Sequence, residues 1–138
     1  MTTIDSSTSL SPTRNWTFWL GWALTGLFIA FMIFDGGIKL ALIQPVIDSM
    51  TELGYPLEHA RLLGVLGLVC TLLYAIPRTS VLGAVLLTAY LGGAVSTHLR
   101  IDSPLFSHTL FGVYMGLIAW GGLWLRNAKL RAIFPIIR

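Results

Sequence analysis

This sequence contains few charged residues. Asp, Glu, Lys and Arg make up 11% of its 138 residues, whereas soluble globular domains carry about 25%. Hydrophobic residues make up 55% of the chain. A soluble domain of this length has no interior large enough to hide so much apolar surface. The composition therefore excludes a soluble globular fold and indicates a single domain whose solvent is lipid.

Cysteine and the common catalytic motifs are also scarce. The single cysteine, Cys70, excludes an intramolecular disulfide and a Cys-x-x-Cys redox or zinc site. The sequence has no Gly-rich phosphate loop, nucleophile elbow or repeat of metal ligands, so we predict no metal site. The net charge of +3 comes from basic residues that flank apolar stretches. Membrane orientation explains this charge better than nucleic-acid binding. Nothing here decides whether the protein is an enzyme.

Four long apolar stretches stand out instead, at residues 16–34, 62–76, 79–97 and 104–125. At about 1.5 Å per residue, helices of roughly these lengths cross a hydrocarbon core of about 30 Å. Between the first two stretches, apolar residues at 46, 47, 50 and 53 recur at helical spacing, bounded by Pro45 and Gly54. The sequence predicts an all-α integral membrane four-helix bundle with a short surface helix between spans 1 and 2.

The basic residues predict how the chain is oriented. We expect a disordered cytoplasmic tail at 1–15, a four-span membrane domain at 16–126 and a basic cytoplasmic tail at 127–138. Arg78 falls on the same side as this second tail, and the positive-inside rule then places both termini in the cytoplasm. Ser103 and Pro104 are typical of the N-cap and first residue of the fourth helix.

The opposite face gathers ionisable residues from the ends of several helices. Asp35 and Lys39 are spaced i, i+4, which predicts a structural ion pair on one helix face. Ionisable residues near hydrocarbon are rare and costly, so we take Lys39, His98, Arg100 and His108 as the candidate ligand-binding residues. The glycine pairs 36–37 and 92–93 would remove side-chain bulk beside them. Ligation of haem by His98 and His108 is less favoured, because two histidines without a further signature are a weak pattern.

Several segments together resemble one family of membrane proteins. They are GGIKL at 36–40, LGYP at 53–56, YAIPRT at 74–79, YLGGAVSTHLR at 90–100 and WGGLWLR at 120–126. In order and spacing they resemble small DoxX-like membrane proteins. The resemblance implies a multi-pass four-helix bundle in the bacterial cytoplasmic membrane, with some relatives in quinone-linked sulfur oxidation or membrane oxidoreductase complexes. The family pattern suggests a glutamate near 66–68, where this chain has Gly67, so a role for a carboxylate there does not transfer.

Two functions from different classes follow from these features. The first is a redox-linked membrane subunit that binds a quinone or another small lipophilic ligand near the non-cytoplasmic face. The second is a non-catalytic anchor or scaffold for a partner protein. Both imply contact with the lipid bilayer. Both are also compatible with a membrane or redox partner protein and with a homo-oligomer. Neither involves nucleic acid.

Overall fold

A computed structural model describes residues 13–136 of the chain, with side chains from Trp16 onward. The described part is helical, and it contains no strand. Its elements are α1 (Thr13–Ala41), α2 (Gln44–Glu52), α3 (Glu58–Ala75), α4 (Ser80–Arg100), a π-helical turn (Leu105–Thr109), α5 (Phe111–Arg126) and α6 (Ala128–Ile133).

Four helices of this structure are long and apolar enough to cross a membrane: Trp16–Ala41, Glu58–Ala75, Ser80–Arg100 and Leu105–Arg126. The predicted all-α membrane bundle is confirmed, and α2 is the short helix expected between spans 1 and 2. A tail was predicted at 1–15. Its first 12 residues lie outside the described part of the chain, and α1 begins at Thr13.

The four spans form a ring in which α1 and α4 each pack against both α3 and α5. Phe28 of α1, Tyr74 of α3, Leu87 of α4 and Leu123 of α5 are buried at its centre. The Tyr74 hydroxyl donates a hydrogen bond to the carbonyl of Ala119 at 2.7 Å, so this buried polar group is satisfied. The core therefore joins all four spans.

The outward faces of the spans are apolar and uncovered. Leu62, Leu72 and Leu117 are each more than three-fifths exposed. Apolar side chains in this position are costly in water but match the hydrocarbon of a bilayer. The chain is thus an integral membrane protein whose spans contact lipid.

Helix α2 lies across one end of the bundle. Its Val46 and Met50 are buried against Ala60 of α3. The helix ends at Glu52. Gly54, the residue predicted to end it, follows two positions later with a φ of +70°, which lets the amide of Tyr55 reach back to the carbonyl of Met50. This arrangement closes one side of the space between α1 and α4.

The start of the fourth span differs from the prediction. Ser103 does not cap an α-helix, and Pro104 has an extended ψ of 124°. The amides of Thr109 and Leu110 bond carbonyls five residues back, which makes a π-helical turn, and α5 begins only at Phe111. The physical reason is that Pro104, with this ψ, is not the first residue of a helical turn, so Ser103 is not at an N-cap position; its hydroxyl lies 3.0 Å from Nδ1 of His98.

The segment after the fourth span folds back onto it. The side chain of Asn127 accepts a hydrogen bond from the amide of Leu130 and caps α6. Leu130 is buried in the main core. The first part of the predicted basic tail is therefore a short helix packed on the end of the bundle.

Candidate ligand cavity at one end of the bundle

A cavity of about 510 Å³ lies at the end of the bundle that α2 covers, which we call the α2 end. The end of α1, the start of α3, the end of α4 and the π-helical turn all meet there. Most of its wall is apolar. Polar groups on the wall include Asp35 and Lys39 of α1, Tyr90 and His98 of α4, and His108 of the π-helical turn.

Lys39 is the best-connected charge on this wall. Its Nζ lies 2.5 Å from Oδ2 of Asp35 and donates a second hydrogen bond to the Tyr90 hydroxyl at 3.1 Å. The exposed fractions of the Lys39 and Asp35 side chains are 21% and 24%. Helical spacing of i, i+4 brings the two charges together, as the sequence predicts. The ammonium has three protons, so one remains for a further acceptor.

Tyr90 is a member of this cluster that the sequence analysis did not select. It lies in the middle of α4, and its hydroxyl reaches Lys39 across the bundle. A Cβ atom at Gly67 would lie 3.4 Å from that hydroxyl. Gly67 therefore leaves the room that Tyr90 occupies. One feature of the sequence could have identified Tyr90. Tyr90, Thr97 and His98 recur at helical spacing, which places them on a shared side of α4.

The two predicted histidines lie side by side. The ring centroids of His98 and His108 are 6.0 Å apart in an edge-to-face arrangement. Nδ1 of His98 is 3.0 Å from the hydroxyl of Ser103, and Nδ1 of His108 is 2.8 Å from that of Ser107. With Nδ1 of each ring engaged by a hydroxyl, Nε2 is the ring nitrogen left to bind a further polar group. Among the described residues, no group of three His, Cys, Asp or Glu is placed to hold a metal ion.

Arg100, the fourth predicted ligand residue, is not part of the cavity wall. Its Nη2 donates to the carbonyl of Leu53, and its guanidinium carbon lies 6.0 Å from the centroid of the Tyr55 ring. Two residues beyond His98, the helix has turned by about 200°, which directs the side chain toward the α2–α3 connection. The structure thus places Arg100 where it ties this connection to α4.

The two glycine pairs also have different surroundings. A Cβ atom at Gly36 would overlap the side chain of Leu68, so this glycine serves close contact between α1 and α3. Gly93 lines the cavity, and a Cβ atom there would meet nothing within 4 Å. Gly37 and Gly92 also have open space at the Cβ position, but of the four glycines Gly93 is the one that lines the cavity.

Comparison with known proteins places the same region in one family. A family model described as the DoxX-like family matches residues 23–122. This match starts within α1 and ends within α5, so it contains every polar residue of the cavity wall named above. No curated protein and no solved structure matches the chain.

Proposed function

The chain belongs to the DoxX-like family, and from this premise we propose that it is a membrane subunit that binds a small lipophilic ligand of the quinone class at the α2 end. The site would be the cavity of about 510 Å³. The proposal also places the chain in the bacterial cytoplasmic membrane, with both termini in the cytoplasm and the cavity toward the other side.

The observation that carries the proposal is that Lys39 and the His98–His108 pair share one largely apolar cavity. Sites for small ligands typically measure about 300–1,000 Å³ and combine apolar walls with a few convergent polar groups. A quinone has this composition, because its ring and tail are apolar and its carbonyl oxygens accept hydrogen bonds.

Each polar group has a role in this proposal that follows from its contacts. Lys39 is held by Asp35 and Tyr90, so its remaining proton can be donated to a carbonyl oxygen. His98 and His108 place two imidazole rings on the same wall, and imidazole is the side chain that most often serves as a general acid or base. Electrons would come from a redox partner protein, and this chain would supply binding and proton exchange.

Binding is best measured with a reporter placed beside the cavity. The five tryptophans of the chain are Trp16, Trp19, Trp22, Trp120 and Trp124, and none of them lines it. Phe111 does line it, so Phe111→Trp should give fluorescence that a bound quinone quenches. We expect saturable quenching when decylubiquinone is added to the purified protein in detergent.

Substitutions of cavity residues test whether the quinone binds in this cavity. In an Asp35→Asn background, which avoids an unpaired carboxylate, Lys39→Met should weaken binding by about tenfold or more, because a hydrogen bond from a charged group is lost. His108→Phe should also weaken it. Lys129→Met makes the same chemical change at the other end and should have no effect. Quenching that does not saturate, or that is unchanged by the Lys39 and His108 substitutions, would contradict the proposal and favour the anchor or scaffold.

A further inference from the structure

Among residues 13–136, the end of the bundle opposite α2 carries cations and no carboxylate. Arg78, Arg126, Lys129 and Arg131 lie there. We call it the α6 end. The carboxylates of the described residues lie instead at the α2 end, on Asp35, Asp48, Glu52, Glu58 and Asp102. Within residues 13–136, none of the four cations at the α6 end forms an ion pair.

Arg126 lies against two aromatic rings, whereas the neighbouring Arg131 lies 5.9 Å from the centroid of one ring, that of Trp124. The guanidinium carbon of Arg126 lies 4.6 Å from the centroid of the Trp22 ring and 5.5 Å from that of Tyr74. Such contacts attract a cation but do not neutralise it. The guanidinium group is therefore positioned before any anion arrives.

The hydrogen bonds of Arg126 are incomplete. Nη2 reaches the carbonyl of Tyr74 only at 3.4 Å, and Nε is buried without a partner. A guanidinium has five N–H donors in a planar fork. Arg131, by contrast, donates to the carbonyls of Trp124 and Leu125 at the end of α5. Arg126 is thus the fixed cation with donors to spare.

We propose that Arg126 binds the phosphodiester group of an anionic phospholipid. The planar fork matches phosphate oxygens in pairs. Arg126 is the last residue of the fourth span, and span ends lie near the depth of lipid headgroups. Trp22 beside it is 39% exposed, so the site opens toward the surface of the bundle. The surrounding excess of cations favours an anionic over a zwitterionic headgroup. This site is independent of the cavity at the α2 end.

Native mass spectrometry of the full chain in detergent tests this assignment. Phosphatidylglycerol would be titrated in the presence of an equal concentration of phosphatidylcholine. We expect one phosphatidylglycerol to bind in preference, and Arg126→Gln to lower its affinity by about tenfold or more, as when a charge-assisted pair is broken. Lys129→Gln removes the same charge from the same end and should change the affinity by less than about twofold, because a single exposed charge contributes little.

Other outcomes would overturn the proposal. Binding unchanged in Arg126→Gln would place the lipid elsewhere, and equal losses in both variants would indicate diffuse surface charge. Displacement of the lipid by millimolar inorganic phosphate would show a site for free phosphate instead. If Arg126→Gln does not fold, Arg126→Lys keeps the charge beside Trp22 but loses the paired donors. It should bind phosphatidylglycerol measurably more weakly, and affinity equal to that of the parent would refute the assignment.

Discussion

At the scale of single residues, Lys39 contributes both to the stability of the bundle and to the proposed function. An ionisable side chain within a span is costly unless it is paired. Lys39 is paired twice, with the Asp35 carboxylate and with the Tyr90 hydroxyl. The same contacts that offset the cost of its charge also fix the ammonium at the cavity wall.

Removing one member of the Asp35–Lys39 pair should therefore destabilise the protein strongly. We expect Lys39→Met to lower the free energy of unfolding by about 3 kcal/mol, because a poorly solvated carboxylate is left without its partner. The double variant Asp35→Asn, Lys39→Met should lose less than this single variant. Thermal unfolding in detergent measures both. A single variant as stable as the parent would show that the pair does not stabilise the bundle.

How much of the site the sequence predicts depends on whether partners are near in sequence. Asp35 and Lys39 are one helical turn apart, so their pairing follows from helix geometry. The contact of Tyr90 with Lys39 crosses between two helices, and that of Arg100 with Leu53 joins α4 to the α2–α3 connection. These contacts depend on how each helix is rotated about its axis, which hydropathy alone does not determine.

At the scale of the elements, the spans could be predicted because each one carries its own apolar signal. The approximate boundaries of α2 could also be predicted, because Pro45 favours a helix start and Gly54 a helix end through their own backbone conformations. The π-helical turn could not be predicted, because the sequence does not show that Pro104 adopts an extended ψ or that the turn closes through bonds to carbonyls five residues back.

The α3–α4 pair depends on the small size of Gly83. A Cβ atom at this position would collide with the backbone of Leu73 and Tyr74. We expect Gly83→Ala to destabilise the protein by about 1–3 kcal/mol, the usual cost of overpacking.

Gly26→Ala is the matched control for Gly83→Ala. A Cβ atom at Gly26 would meet nothing within 4 Å, and alanine favours a helix interior over glycine. This variant should be at least as stable as the parent in the same thermal unfolding measurement. Equal losses from the two substitutions would mean that close contact at Gly83 is not the cause.

At the scale of the whole molecule, the unequal charge of the two ends predicts how the protein is inserted. Reporter fusions after Arg78 and after Asp102 should report opposite sides of the membrane, with Arg78 in the cytoplasm. A fusion after Arg138 should agree with the one after Arg78. If the first two fusions report the same side, the four-span topology is wrong.

The unequal lengths of the spans have a consequence for the bilayer itself. The span in α3 has 18 residues and that in α1 has 26, or about 27 Å and 39 Å at roughly 1.5 Å per residue. In a thick bilayer α3 is too short, and in a thin one α1 must tilt further. We therefore expect the unfolding temperature in vesicles to pass through a maximum as acyl chains are lengthened. A temperature that does not depend on chain length would show that hydrophobic mismatch has no effect on this bundle.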